Sequence, residues 1–83
     1  MRLNALADDT RLRILELLAQ KGELGTPDVK TRLELSQSAA SRHLEHLTAT
    51  GYLIARRQQG VNLYQLNLDQ IDHTFNALKE FCQ

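Results

Sequence analysis

The spacing of apolar and polar positions changes period along this chain and divides it into short elements. From Thr10 to Gln20, Leu12, Ile14, Leu15, Leu17, Leu18 and Ala19 form a broad stripe at helical spacing, which predicts a core helix ending near Gly22. Asp8 stands where a cap belongs, with Asp9 in the first turn, where the helix dipole favours negative charge. The earlier run from Leu3 to Ala7 is too brief to hold a helix alone. Glu23-Leu24 reads as a connector or a minimal strand. Thr26-Pro27-Asp28 then predicts a second helix, with threonine as cap and proline at the first helical position. That helix turns Val29 and Leu33 inward and finishes by about Glu34.

Leu35-Ser36 is a tight turn into a third helix, which Ser36 caps and Gly51 stops. Its later turns carry Leu44 and Leu47 for burial. Two helices joined so closely predict a helix-turn-helix over about residues 27–50. After Gly51 the period drops to two. Tyr52 to Arg57 reads as a strand, Gln58-Gln59-Gly60 as a turn and Val61 to Leu66 as the returning strand, a hairpin over about 52–66. Asp69 is the expected cap of a last helix, about 70–82, with Ile71, Phe75, Leu78 and Cys82 at one helical spacing and Phe81 beside them. The predicted fold is mainly α with a small β-hairpin: one winged helix-turn-helix domain spanning 1–83.

Composition narrows the function. A chain of 83 residues, 42% hydrophobic and 24% charged, suits one globular domain with a modest core. No apolar run approaches the roughly 20 residues of a membrane span. The single cysteine, Cys82, excludes an internal disulfide and fits a reducing, cytoplasmic setting. No nucleophile–base set or phosphate loop appears, so an enzyme is not expected. The formal net charge of zero argues against a non-specific basic coat, but the charge is unevenly spread. Residues 36–66 hold Arg42, Arg56 and Arg57 against Glu45 alone, whereas residues 67–83 hold Lys79 against Asp69, Asp72 and Glu80. An anion would choose the middle of the chain. There the third helix opens with Gln37, Ser38, Ser41 and Arg42, side chains of the types that read base edges and grip phosphates.

Three segments together carry a family resemblance. A-L-A-D-D-T-R-L-R-I-L-E-L-L (Ala5 to Leu18), L-S-Q-S-A-A-S-R-H-L-E-H-L (Leu35 to Leu47) and G-Y-L-I-A-R-R-Q-Q-G-V-N-L-Y-Q-L (Gly51 to Leu66) resemble the ArsR/SmtB transcriptional regulators. The resemblance implies a dimeric, DNA-binding repressor on a palindromic operator, released by an effector the sequence does not identify. It implies that Gln37, Ser38, Ser41 and Arg42 face base edges and nearby phosphates. His43 would pack or touch the DNA backbone, and Arg56 and Arg57 would steady the hairpin on phosphates. Strand alternation allows only one of those two arginines on a given side. Val61 departs from the family, where a basic residue often follows the turn glycine.

Many relatives sense metals, yet the segment Glu23 to Asp28 has no cysteine and the last helix has only His73 among its histidines. His43 and His46 alone would chelate weakly, so neither a metal site nor any other cofactor is expected. The stripe of Ile71, Phe75, Leu78 and Phe81, with Leu3 and Leu6, is the expected dimer interface. The first helix is shorter than is usual in the family, so a domain excised from a larger regulator is one alternative. The neutral charge keeps open another, a winged helix that binds protein in place of DNA.

Overall fold

The computed structural model describes residues 9–72, and the elements follow the predicted order. They are α1 (Asp9–Lys21), β1 (Glu23–Gly25), α2 (Thr26–Leu33), α3 (Gln37–Ala49), β2 (Leu53–Gln58) and β3 (Val61–Leu66), followed by helical residues 68–72. Helices of 8 to 13 residues are too short to persist alone in water, so each depends on burying one face. Ile14 and Leu18 of α1, Val29 and Leu33 of α2, Leu44 and Leu47 of α3, and Leu53 and Tyr64 of the sheet make one buried cluster. Leu15, Leu17, Leu24, Leu35, Tyr52 and Leu66 pack around it. The α1 stripe is narrower than its sequence suggests: Leu12 is 41% exposed and Ala19 is exposed. A core this small covers less than half of a helix surface.

The helix ends show why the turns are tight. Ser36 caps α3 as expected, its Oγ accepting from the Ala39 N–H at 3.1 Å. Thr26 does not cap α2: it is the first helical residue, and extended Gly25 precedes it without a side-chain cap bond. The reason is β1, whose pairing with β3 keeps the backbone extended through Gly25. The α2–α3 turn lacks the glycine usual at such a corner, and Glu34 takes the left-handed conformation itself at φ 55°. The Leu35 N–H donates to the Lys30 carbonyl at 2.9 Å and the Glu34 N–H to the Thr31 carbonyl at 3.3 Å, a Schellman closure. The same motif ends α3 with Gly51 at φ 92°. The expected cap at Asp69 is also corrected. Asn67 begins the final helical stretch, its Oδ1 accepting from the Gln70 N–H at 3.4 Å and its carbonyl from the Ile71 N–H at 3.1 Å.

The predicted hairpin gains a third strand. Glu23–Gly25 pairs antiparallel with β3, giving the order β1-β3-β2. In β2–β3, Gln58 pairs with Val61, so the loop is only Gln59-Gly60, both at positive φ (51° and 81°), as in a type I′ turn. Alternation places Leu24, Leu53, Tyr64 and Leu66 toward the helices and Glu23, Ile54, Arg56, Leu63 and Gln65 on the outer face.

Two substitutions test these local devices. Ser36→Ala should cost about 1 kcal/mol in chemical denaturation by removing the α3 cap. Gln59→Asn should raise stability by about 0.5–1 kcal/mol, because asparagine accepts the left-handed conformation more readily.

Candidate nucleic-acid interface

Burial fixes the orientation of α3. Ala40, Leu44 and Leu47 are inside the domain, with 0–1% of their surface accessible. At about 100° per residue, Ser38, Arg42, Glu45 and Ala49 lie on the opposite side, and all four are exposed. Ser41, half-buried, flanks this stripe, while Gln37, exposed in the first turn, lies nearer the edge of the buried side. The structure therefore brings Ser38, Ser41 and Arg42 to one outward surface at the front of α3, with Gln37 beside it at the helix start. Small side chains there let the backbone approach a partner closely, and Arg42 provides reach and charge.

His43 sits apart from this stripe. It is half-buried toward α1, where the Arg11 Nε–H donates to its Nδ1 at 3.4 Å. That contact ties α3 to α1 beside the front of the stripe. His46 is half-buried, and no three histidine, cysteine, aspartate or glutamate side chains gather as a metal-binding group among the described residues.

The two arginines of β2 take opposite faces of the sheet. Arg56 points outward and engages Glu23 of β1 through both arms of its guanidinium, Nε–H to Oε2 and Nη2–H to Oε1, each 2.7 Å. The hydrogen bond from Arg56 holds the Glu23 carboxyl below its ordinary pKa; desolvation opposes this in part, and the Coulombic attraction of Arg56 adds a smaller push in the same direction as the hydrogen bond. The same partnership raises Arg56. Arg57 lies on the face shared with Leu53 and Tyr64 and makes one long contact, Nη1 to the Asn62 Oδ1 at 3.5 Å.

Of the expected dimer residues, Leu3, Leu6, Phe75, Leu78 and Phe81 lie outside the described residues, as do Asp8, His73 and Cys82. Ile71 is half-buried, and nearby Leu68 is 68% exposed. Sequence reasoning gave no site role to three side chains that contact or adjoin these groups: Arg11, Glu23 and Glu45. A helical wheel places Glu45 beside Arg42. The links from Arg11 to His43 and from Glu23 to Arg56 span 32 and 33 residues and leave no local signal. No helix among the described residues is long and apolar enough to cross a membrane.

Comparison with known proteins agrees with this geometry. Residues 8–55 match the family described as bacterial regulatory protein, arsR family. The chain is 45% identical over 62 residues to an arsenic resistance transcriptional regulator of Pseudomonas putida, covering 75% of this chain and 48% of that protein. It is 35% identical over 82 residues to the transcriptional activator HlyU of Vibrio cholerae, covering 98% of this chain and 75% of that one. The chain thus spans about half the length of the arsenic-resistance relative. The solved HlyU structure superposes with a TM-score of 0.74 at 35% identity, over 95% of this chain and 86% of its own. A homodimeric winged helix-turn-helix DNA-binding domain from Mycobacterium bovis superposes at 0.75 with 31% identity, over 94% and 71%. The chain belongs to the arsR family of bacterial regulatory proteins and has the winged helix-turn-helix fold of its relatives.

Proposed function

We propose that this chain is a cytoplasmic, sequence-specific DNA-binding regulator that acts as a homodimer on a palindromic operator and represses the adjacent gene. The observation that carries the proposal is the division of α3: one side is sealed into the core while Ser38 and Arg42 stand on the other, with Ser41 at its flank and Gln37 exposed at the helix start. A helix so mounted can enter a major groove, where glutamine and arginine make paired hydrogen bonds to adenine and guanine edges. Glu45 lies on the same stripe. Its carboxylate can only accept, so it favours the exocyclic amine of cytosine or adenine and repels phosphate. His43 would stand at the flank of this surface, and the wing carrying Arg56 and Arg57 beside the duplex.

Dimer formation is supported by the homodimeric M. bovis neighbour and by exposed Leu12 and Leu68. The interface proposed is Leu3, Leu6, Ile71, Phe75, Leu78 and Phe81. Two copies also double the few arginines available to each operator, which matters because one copy neutralises few phosphates. Repression is favoured by relatives named as arsenical resistance operon repressors, and activation is the second reading because HlyU is named an activator. A reporter under the chain's own upstream region separates the two: deletion of the regulator raises expression under repression and lowers it under activation.

Fluorescence anisotropy with upstream and scrambled duplexes, titrated across salt, tests DNA recognition. Gln37→Ala and Arg42→Ala should each cost about 1–3 kcal/mol on the upstream duplex and relax preference at particular base pairs. Equal losses on both duplexes would refute base reading by these side chains. Phe75→Asp should convert the sedimenting dimer to monomer and remove operator binding; an unchanged profile would refute the proposed interface.

A further inference from the structure

We propose that Glu23 and Arg56 form a brace that sets the wing against the helix-turn-helix, making Arg56 a positioning residue and leaving Arg57 as the wing's phosphate contact. This rests on the DNA-binding reading above.

The geometry separates two neighbouring arginines that the sequence makes look equivalent. Glu23 lies on β1, two residues before Gly25 leads into α2, while Arg56 lies near the far end of β2. Strand β3 runs between them. The register sets Glu23 opposite Gln65 and Arg56 opposite Leu63, so the two side chains meet diagonally across the outer face of β3. Gly25 is the β1 residue paired with Leu63 and brings no side chain to that face. A Cβ there would come within 3.4 Å of the Val61 Cγ1 and 3.5 Å of the Leu63 Cδ2. Gly25 thus leaves the outer face beside Leu63 without a side chain from β1.

Two parallel bonds of 2.7 Å fix the guanidinium in angle as well as in distance. Both partners remain partly in water, with side-chain exposures of 52% and 26%, so the brace acts mainly on geometry and adds only a small increment of stability, one that its bidentate geometry keeps within reach of a double-mutant cycle. It also changes the field around Arg56. Any phosphate approaching that guanidinium also approaches the Glu23 carboxylate, which cancels most of the attraction. Arg57 has no such partner among the described residues, only its long contact to Asn62. It shares its face with Leu53 and Tyr64, which bury against Leu44 and Leu47 of α3. Arg57 therefore lies on the same side of the sheet as α3, and Arg56 on the side turned away.

The test uses the full chain, the upstream and scrambled duplexes, and the dependence of affinity on salt. Arg57→Gln should lower the slope of log affinity against log salt by about 0.9 per protomer, the signature of one lost phosphate contact. Arg56→Gln should leave that slope unchanged. Arg56→Glu should weaken upstream binding about tenfold by breaking the brace, and adding Glu23→Arg should restore both the affinity and the preference over scrambled duplex. Equal slope losses for Arg56→Gln and Arg57→Gln, or a swapped protein that stays weak, would overturn the proposal. A thermal-unfolding cycle on Glu23→Gln and Arg56→Gln reads the brace without DNA. Because the Glu23 pKa is lowered by folding, the coupling is complete above the ordinary glutamate range and disappears as pH falls through its lowered value. No coupling at neutral pH would also overturn the brace. A wild-type chain that binds neither duplex, yet shows this coupling, would refute the DNA-binding reading and with it the role of Arg57, while leaving the ion pair established.

Discussion

Leu44 and Leu47 of α3, almost wholly removed from solvent, join a single cluster with Ile14 and Leu18 of α1, Val29 and Leu33 of α2, and Leu53 and Tyr64 of the sheet. Each such side chain contributes about 1.5–3 kcal/mol on burial. Among the described residues no second buried cluster stands ready to compensate for a lost contact. The same contacts set the rotation of α3 about its own axis. A helix turned by one residue would carry Arg42 toward the flank and expose part of the leucine edge. Stability and the placement of the outward stripe therefore depend on one set of contacts.

The short connections make that placement rigid. Between α2 and α3 lie only Glu34, Leu35 and Ser36. Glu34 accepts a left-handed backbone, a conformation that costs a non-glycine residue about 1–2 kcal/mol. Two hydrogen bonds across the end of α2 and the packing of Leu35 against the core offset that cost. Gly51 turns the chain at the other end of α3 without that penalty, and Asn67 then orders the exit from β3. The third helix is closed at both ends before any partner arrives, so little ordering entropy remains to be lost on binding.

Electrostatics in this domain is a matter of where charge is cancelled. The chain carries equal numbers of acidic and basic side chains, and one arginine of the wing is already occupied by a glutamate from β1. Arg42 on α3 and Arg57 on the wing are both exposed, with Glu45 set among the groups of the α3 stripe. A surface with so few cations has little non-specific grip. Such a surface suits discrimination more than indiscriminate attraction, in keeping with the function proposed above.

Much of this was legible in the residues themselves. Apolar spacing gave the helices and the strands of the hairpin, Ser36 and Gly51 bounded α3, and three motifs pointed to the family. These features are local: they depend on residues within a turn or two of one another, where spacing and backbone preference act directly. The outward side of α3 was legible for the same reason, because its leucines and its polar residues share one helical wheel. Three features depended on tertiary structure. Pairing with β3 made Glu23–Gly25 a strand and displaced the expected cap at Thr26. The limited reach of the core left Leu12 in solvent. The diagonal register across β3 gave Arg56 to Glu23 while Arg57 kept only a loose neighbour. Each depends on groups far apart in the chain, and their meeting is decided by how the strands and helices pack, which no local pattern encodes.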